Sequence, residues 1–187
     1  MESLLQYLHS IFPLSPPLYE HLINILKTKE VRKKEYLLRT GKVCKNIFFI
    51  EKGIFRCFYL NGEKEVCSWF MKEGDVIASV KSFYEQIPSY ESIQALEDCI
   101  VHYISYDEIQ NIYNTYLEFN FIARVLTEKY YALSDERLYS TKMKQAAERY
   151  KYLMGHHPEI ILRVPSTHIA SYLGISLETL SRIKSRK

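Results

Sequence analysis

The sequence predicts an α+β fold in which a β-barrel or β-sandwich lies between helical segments. Residues 31–104 are dense in Val, Ile, Phe and Tyr, and turn signals divide them at intervals of roughly 8–12 residues, which is typical of an all-β unit. Residues 1–28 and the chain from Tyr106 onward instead repeat apolar residues at helical spacing. A helical N-terminus, a β-rich middle and a helical C-terminal part follow from these two patterns.

The composition is that of an ordinary globular protein and excludes several classes. The chain has 187 residues, of which 47% are hydrophobic and 25% charged. Its longest apolar runs, such as Ile47-Phe48-Phe49-Ile50, are far shorter than the roughly 20 residues that cross a bilayer. The residues after Met1 do not have the pattern of a signal peptide, so we expect a cytoplasmic protein without a membrane span.

The residues that could carry catalysis or hold a metal are scattered. No Cys-x-x-Cys pair occurs, so we predict that the cysteines are buried thiols and not disulfides or metal ligands. We find no Ser/His/Asp set, glycine-rich phosphate loop or metal-ligand cluster, and therefore predict neither an enzyme nor a metal site. No cofactor is indicated with certainty. The four cysteines are Cys44, Cys57, Cys67 and Cys99.

The helical and turn signals can be placed along the chain. Apolar residues at helical spacing predict two N-terminal helices, which the segment 13–17 with its three prolines interrupts. In the β-rich region, Gly41, Gly53 and Gly74 are predicted at turns. Asn61-Gly62 is a strong hairpin signal, because both residues tolerate a positive φ.

A long helix is predicted from Leu117 to about Leu138. One of its faces is apolar, and this stripe can pack on the chain's own barrel or on a second copy of the helix. Because a small barrel offers limited surface to a long helix, we favour a coiled coil between two chains and hence a homodimer. The predicted dimer residues are Phe119, Ile122, Leu126, Tyr130 and Leu133.

The charge is unevenly distributed along the chain. Residues 140–187 carry nine Lys or Arg against three Glu, whereas residues 1–139 carry 16 basic and 19 acidic groups. A basic C-terminal quarter on a mildly acidic body indicates a polyanionic partner. A solvated basic surface is the alternative that charge alone leaves open.

Residues 166–184 have the spacing of a helix-turn-helix. Two helices that pack closely across a three-residue turn need a small residue, a glycine at the turn and a shared apolar core. Seven positions meet these needs, and the basic surroundings agree with them. We therefore predict a DNA-binding helix-turn-helix and not a plain αα-hairpin. The seven residues are Ile169, Ala170, Leu173, Gly174, Ile175, Leu180 and Ile183.

In a helix-turn-helix the second helix enters the major groove of DNA. Its outward face offers Leu177, Glu178, Ser181 and Arg182. Glu178 can accept a hydrogen bond from cytosine, and Arg182 can donate to guanine. The two lie four residues apart and could pair with each other when DNA is absent. The predicted DNA-binding set also contains Ser166, Thr167, Ser176, Thr179, Lys184 and Arg186, of which the last four are placed for phosphate contacts.

Almost the whole chain resembles the Crp/Fnr family of bacterial transcription factors. The motif of residues 175–183 is similar to the family's recognition helix, with Glu178 and Arg182 at base-reading positions and Leu177 where many members carry arginine. The resemblance implies a sensor domain over residues 1–116, a dimerisation helix over 117–139 and a DNA-binding domain over 140–187. The sensor domain would be a double-stranded β-helix, that is, a cyclic-nucleotide-binding-like jelly roll. The small C-terminal domain would lack a full wing, because the sequence stops where many members continue into one; the alternative is that the sequence is truncated before the wing.

The same resemblance places an effector pocket in the β-rich domain. The segment 74–79 resembles the start of the family's phosphate-binding cassette, but the positions of its ribose-binding glutamate and phosphate-binding arginine hold Ser79 and approximately Ser89. Between residues 76 and 95 the only basic residue is Lys81, which speaks against cyclic AMP because its phosphate needs a donor or a compensating charge. The candidate pocket residues are Val76, Ile77, Ala78, Ser79, Lys81, Phe83, Ser89 and Tyr90.

These patterns predict a homodimeric, sequence-specific DNA-binding transcriptional regulator. It would bind a palindromic operator, respond to an unidentified effector in its β-roll and have RNA polymerase as a further candidate partner. The alternative is a receptor for a small ligand or cyclic nucleotide that acts through protein partners and carries a vestigial helix-turn-helix. Ligand binding without DNA binding would favour this alternative.

Overall fold

A computed structural model describes residues 1–185 and has the α+β composition that the sequence predicts. The strands of these residues are β1 (Lys27–Val31), β2 (Tyr36–Leu38), β3 (Asn46–Lys52), β4 (Phe55–Asn61), β5 (Lys64–Met71), β6 (Val76–Ile77), β7 (Glu91–Ala95) and β8 (Cys99–Ser105). The helices are α1 (Glu2–Ile11), α2 (Pro16–Ile25), α3 (Val80–Glu85), α4 (Tyr106–Thr115), α5 (Leu117–Met143), α6 (Ala146–His156), α7 (Pro158–Arg163), α8 (Ser166–Leu173) and α9 (Leu177–Ser185).

The strands form two four-stranded antiparallel sheets, with the orders β1-β8-β3-β6 and β2-β7-β4-β5. Each sheet pairs strands that are distant in sequence, and the two sheets enclose one apolar core, as in a jelly roll. Fully buried side chains of this core include Ile50, Phe55, Phe83, Ile93 and Val101. The predicted barrel or sandwich is thus confirmed, in its double-sheet form. We call this unit the roll.

The two N-terminal helices pack on the roll. The proline-rich break lies where the sequence predicts it, because α2 begins at Pro16, a first-turn position where the missing N–H costs nothing. Ser15 caps α2 by accepting a hydrogen bond from the Leu18 amide at 3.4 Å. Leu18 is fully buried and Leu22 is 2% exposed in the core of the roll, so α2 shares one apolar core with the roll.

Strands β4 and β5 are buried on both faces. Cys57 and Trp69 pack in the core inside the roll. Phe58, Cys67 and Phe70 instead belong to a second apolar core, which the roll shares with helices α6–α9. The C-terminal helices therefore rest directly on the outer surface of the roll.

The long helix α5 begins at Leu117, as predicted, and extends to Met143. Phe119 and Ile122 are buried in the core of the roll, and Leu126 packs against it. This corrects the assignment of Phe119 and Ile122 to a seam between two chains. The less favoured alternative accounts for them, because α1 and α4 also contact α5 and enlarge the apolar surface that the barrel alone provides.

The four cysteines are free and buried, as the sequence predicts. Within the described residues, no three His, Cys, Asp or Glu side chains come together as candidate metal ligands. None of the helices in residues 1–185 combines the length and the apolar character that a membrane span requires.

We expect Gly53→Ala to destabilise the roll much more than Gly62→Ala. Both glycines have a positive φ, but a Cβ on Gly53 would lie 3.0 Å from the Cα of Cys99 and would also strike its sulfur, whereas Gly62 faces open space. The expected loss of unfolding free energy is about 2–5 kcal/mol for Gly53→Ala, from strain plus overpacking. For Gly62→Ala it is about 1–2 kcal/mol, from strain alone. Urea denaturation of both variants measures the difference, and equal losses would contradict the close approach at Cys99.

Candidate nucleic-acid interface and effector cavity

Helices α8 and α9 form the predicted pair around a three-residue turn. Gly174 ends α8 in the left-handed conformation, at φ +66°. The amide of Ile175 donates back to the carbonyl of Ala170 at 3.0 Å, which closes the end of α8. Ile169 and Leu180 are fully buried between the two helices and the roll, so the inner faces of both helices are fixed.

The opposite face of α9 is exposed and carries the four residues predicted to reach bases, Leu177, Glu178, Ser181 and Arg182. A hydrogen bond from the Ser176 side chain holds the pKa of the Glu178 carboxyl below its usual value, with a minor contribution from the Arg182 charge. Arg182 donates to the Thr179 hydroxyl at 3.2 Å. In the described residues it makes no ion pair with Glu178, so the pairing that the spacing allows does not form.

The residues predicted to contact phosphates lie around the ends of the two helices. The Ser176 hydroxyl accepts from the Thr179 amide at 3.1 Å and so caps α9. Lys184 donates to the Ser166 hydroxyl at 2.9 Å, which brings the two helices together at one edge. Thr167 is exposed beside them. The prediction for Arg186 lies outside the described residues.

Hydrogen bonds join α8 to strand β5. The Ser171 hydroxyl accepts from the Cys67 amide at 3.0 Å and donates to the Glu65 carbonyl at 3.1 Å. Since both partners are backbone groups of β5, one serine holds the helix in register with the edge of the sheet. Sequence reasoning missed this role, because a serine at a helical position carries no signal of a distant partner.

Arg56, on the outer face of β4, is the centre of a buried polar cluster. Its side chain is almost fully buried, and the guanidinium donates to Gln94 at 2.6 and 2.9 Å and to Glu65 at 2.6 Å. It also lies 3.1 Å from Nδ1 of His168 on α8 and 4.1 Å above the ring of Phe58. The cluster connects the sheet to the first helix of the pair.

A second charged group connects α7 to the roll at its surface. Arg163 donates to Glu73 at 2.7 and 3.0 Å and also pairs with Glu97. The Arg163 guanidinium lowers the pKa of Glu73 to about 2. The C-terminal helices are thus held against the roll by an apolar core, a buried arginine and a partly exposed ion-pair network.

The inside of the roll contains a cavity of about 510 Å³, which we call the effector cavity. Side chains of the roll, α1, α2, α4 and α5 form its wall, most of them apolar or aromatic. Val76, Ala78, Phe83 and Tyr90 line it as the sequence predicts.

The other predicted pocket residues are corrected. Ile77, Ser79 and Ser89 are buried behind the wall and do not line the cavity. Lys81 points away from it and pairs with Glu85 at 2.8 Å. The physical reason is local geometry: β6 is only two residues long, and α3 turns the side chain of Lys81 toward solvent.

The structure adds Glu91 and Ser68 to the cavity wall, both of which the sequence analysis missed. Burial raises the pKa of the Glu91 carboxyl, and the hydroxyls of Ser79 and Ser68 act in the opposite direction. The Ser68 hydroxyl is itself buried and makes no hydrogen bond of ordinary geometry within residues 1–185. The positions of Ser68 and Glu91 in the sequence do not indicate a shared site, because β5 and β7 are brought to the same cavity only by strand pairing within the sheet.

A second cavity of about 330 Å³ lies between the roll, α5 and the C-terminal helices. Leu133, one of the predicted dimer residues, lines it, together with Arg149 and Tyr172. Three side chains line both cavities and form a common wall: Trp69, Met71 and Tyr130.

The chain thus combines a jelly roll that contains a ligand-sized cavity, a long helix and a C-terminal pair of helices with the geometry of a helix-turn-helix. The profile of the cyclic nucleotide-binding domain matches residues 28–116. The match covers 89 of the 187 residues, and the relatives described next include a regulator of the Crp/Fnr family, which the chain resembles in fold.

The relatives share the fold at low sequence identity. The chain is 24% identical to the Anaerobic regulatory protein of Haemophilus influenzae over 189 residues, which cover 94% of this chain and 72% of the relative. FixK2 from Bradyrhizobium japonicum superposes with a TM-score of 0.73 at 18% identity, over 87% of this chain and 84% of its own. A putative transcriptional regulator of the Crp/Fnr family from Eubacterium rectale gives a TM-score of 0.73 at 17% identity, over 93% and 85%.

We expect acid to weaken the contact between α8 and the roll through His168. Burial lowers the pKa of His168, the charge of Arg56 lowers it further, and Glu65 opposes this shift. Because the folded protein disfavours the imidazolium, the contribution to stability is complete above the ordinary pKa near 6.5 and is lost as the pH falls through the lowered value. An NMR titration of the imidazole measures that pKa. His168→Gln should flatten the corresponding part of the stability curve, and an unchanged curve would contradict the assignment.

Proposed function

We propose that this protein is a homodimeric, sequence-specific DNA-binding transcriptional regulator. The observation that carries the proposal is the exposed face of α9, where Glu178 and Arg182 stand free of the roll while Leu180 anchors the helix from behind. A carboxylate and a guanidinium one helical turn apart can read cytosine and guanine in the major groove. The similarity to the Anaerobic regulatory protein and the shared fold with a putative Crp/Fnr transcriptional regulator support this function.

The charge of the C-terminal quarter supports the same partner. Nine basic residues against three acidic ones in residues 140–187 would attract the phosphate backbone of DNA. Ser176, Thr179 and Lys184 surround the N-terminal end and the outer edge of α9, where phosphate contacts position a recognition helix.

The proposed dimer uses a different face of α5 from the one that the sequence analysis favoured. Leu117, Tyr131 and Leu138 are more than half exposed. Leu117 and Tyr131 are 14 residues apart, and Tyr131 and Leu138 are 7 residues apart. The three therefore fall along one line of the helix. An exposed apolar line on a 27-residue helix suits a second copy of the same helix. Two copies would present two recognition helices to a palindromic operator.

We propose that an effector in the roll changes the position of α8 and α9 relative to the roll. The common wall of Trp69, Met71 and Tyr130 gives a short route from the effector cavity to the cavity beneath the C-terminal helices. A cyclic nucleotide does not fit the residues present, because no lysine or arginine of the described chain lines the effector cavity to hold its phosphate.

The proposed function is tested by selecting bound sequences from a random duplex pool at two salt concentrations. A dimer should enrich a palindrome whose half-sites lie about one helical turn apart, with affinity that falls steeply with salt. No enrichment, with and without added cell extract, would overturn the proposal.

We expect Arg182→Ala to lower affinity for the selected operator by about 1–3 kcal/mol and to relax specificity at one base pair of each half-site. Lys184→Gln should weaken binding to all sequences and reduce the salt slope by about one. Fluorescence anisotropy with operator and scrambled duplexes separates these effects. Lys81→Gln removes an exposed charge far from α9 and serves as the control. A loss in Lys81→Gln equal to that in Arg182→Ala would contradict the assigned interface.

We expect Leu138→Asp to dissociate the dimer and leave the monomer folded, because Leu138 is 54% exposed in the single chain. Sedimentation velocity should show a fall to the monomer mass, and circular dichroism should show an unchanged helix content. Leu162→Asp is the matched control, because Leu162 is also exposed but lies on α7. Equal dissociation in both variants, or a monomeric parent protein, would contradict the proposed dimer face.

A further inference from the structure

The effector cavity contains a carboxyl group but no strong base. Among residues 1–185, Glu91 lies in its wall and no lysine or arginine does. His102, which also lines the cavity, is already engaged by Thr28 at 2.9 Å and by Glu51. An anionic ligand would therefore meet an acid in the wall and no lysine or arginine to neutralise its charge.

Ser79 and Ser89 occupy the two positions that would hold a cyclic nucleotide, and both hydroxyls already make hydrogen bonds within the protein. The hydroxyls of Ser79 and Ser89 are buried and lie 2.9 Å apart. The Ser89 hydroxyl also accepts from the Glu91 amide at 3.0 Å. These serines fix the backbone that carries Glu91 into the wall, and their oxygens are not free to receive a phosphate.

Two groups in the wall remain available to a ligand. Glu91 forms no ion pair with any residue that the structure describes. The buried Ser68 hydroxyl lacks a hydrogen-bond partner of ordinary geometry in the same part of the chain. Because the Ser68 side chain also lowers the pKa of the Glu91 carboxyl, the two groups lie side by side, and a head group that reaches one of them reaches both. Both residues sit on strands that face the cavity, β5 and β7.

The rest of the wall sets the character of the ligand body. Leucine and isoleucine side chains of α1, α2 and α4, together with Trp69 and Phe83, make most of the surface apolar. A volume of about 510 Å³ lies within the range of small-molecule sites, roughly 300–1,000 Å³. Such a cavity favours a lipophilic body, with its polar group restricted to the region of Glu91 and Ser68.

We propose that the roll binds a lipophilic ligand whose head group is neutral or cationic and donates a hydrogen bond. Glu91 and Ser68 receive this head group, and the site rejects cyclic nucleotides and other anions. This inference deepens the proposed function by naming the chemical class of the effector. Its test uses no DNA, so its failure and a failure of DNA binding are separate results.

The test uses the full chain and three probes that share a ten-carbon tail: decylamine and decanoate below their micelle concentrations, and decanol below its solubility limit. Trp69 is the single tryptophan of the chain and lies in the cavity wall, so its fluorescence reports binding. We expect saturable binding of decylamine and decanol, and at least tenfold weaker binding of decanoate and of cyclic AMP.

Substitution of the carboxyl group tests its role directly. Glu91→Gln should weaken decylamine binding about tenfold, strengthen decanoate binding and leave decanol nearly unchanged. Glu85→Gln is the matched control, because Glu85 is exposed on α3 and does not line the cavity. If Glu91→Gln fails to fold, Ser68→Ala replaces it and should weaken decanol and decylamine alike.

Three results would overturn the proposal. The first is that decanoate or cyclic AMP binds as tightly as decylamine. The second is that Glu91→Gln and Glu85→Gln change the three affinities equally. The third is that none of the probes binds in saturable fashion.

Discussion

The arrangement of the whole chain depends on one sheet that is apolar on both faces. An antiparallel sheet commonly buries one face and leaves the other in water. In β4 and β5, however, Cys57 and Trp69 fill the inside of the roll, while Phe58 and Phe70 form the base on which the C-terminal helices pack. If the outer face of these strands were polar, α8 would have no apolar surface to rest on. The position of α8 and α9 thus depends on the strands of the roll.

The polar groups on this outer face select one position of α8 on the sheet, whereas the apolar side chains supply most of the attraction between them. Arg56 is buried beside Phe58 and binds Glu65, Gln94 and His168, so a rearrangement of α8 would leave a buried guanidinium with fewer partners. The pairs of Arg163 lie closer to water and are weaker and sensitive to salt. Any movement of α8 relative to the roll would therefore disturb the Arg56 cluster more than the pairs of Arg163.

Local patterns in the sequence were sufficient for many of the elements, though not for α3 and α7, and they did not predict the contacts between elements. The proline break, the Asn61-Gly62 hairpin and the turn at Gly174 are determined by backbone preferences within a few residues, and the structure has them where expected. The partners of Phe119 and the cavity position of Glu91 are set by sheet pairing and by helices distant in sequence. The apolar stripe of α5 correctly indicated a buried face, yet an apolar periodicity does not reveal which surface covers it.

The wall that Trp69, Met71 and Tyr130 share between the two cavities has a mechanical consequence. The same three side chains line both cavities, so a change of volume in one cavity that moves them also changes the shape of the other. The Val76 amide donates a hydrogen bond to the Tyr130 hydroxyl at 2.7 Å, which fixes one part of this wall. The flexible side chain of Met71 can change its conformation. The wall can therefore couple the two cavities without a rigid-body movement of a helix. How easily its three side chains shift would determine how strongly a molecule in one cavity affects the other.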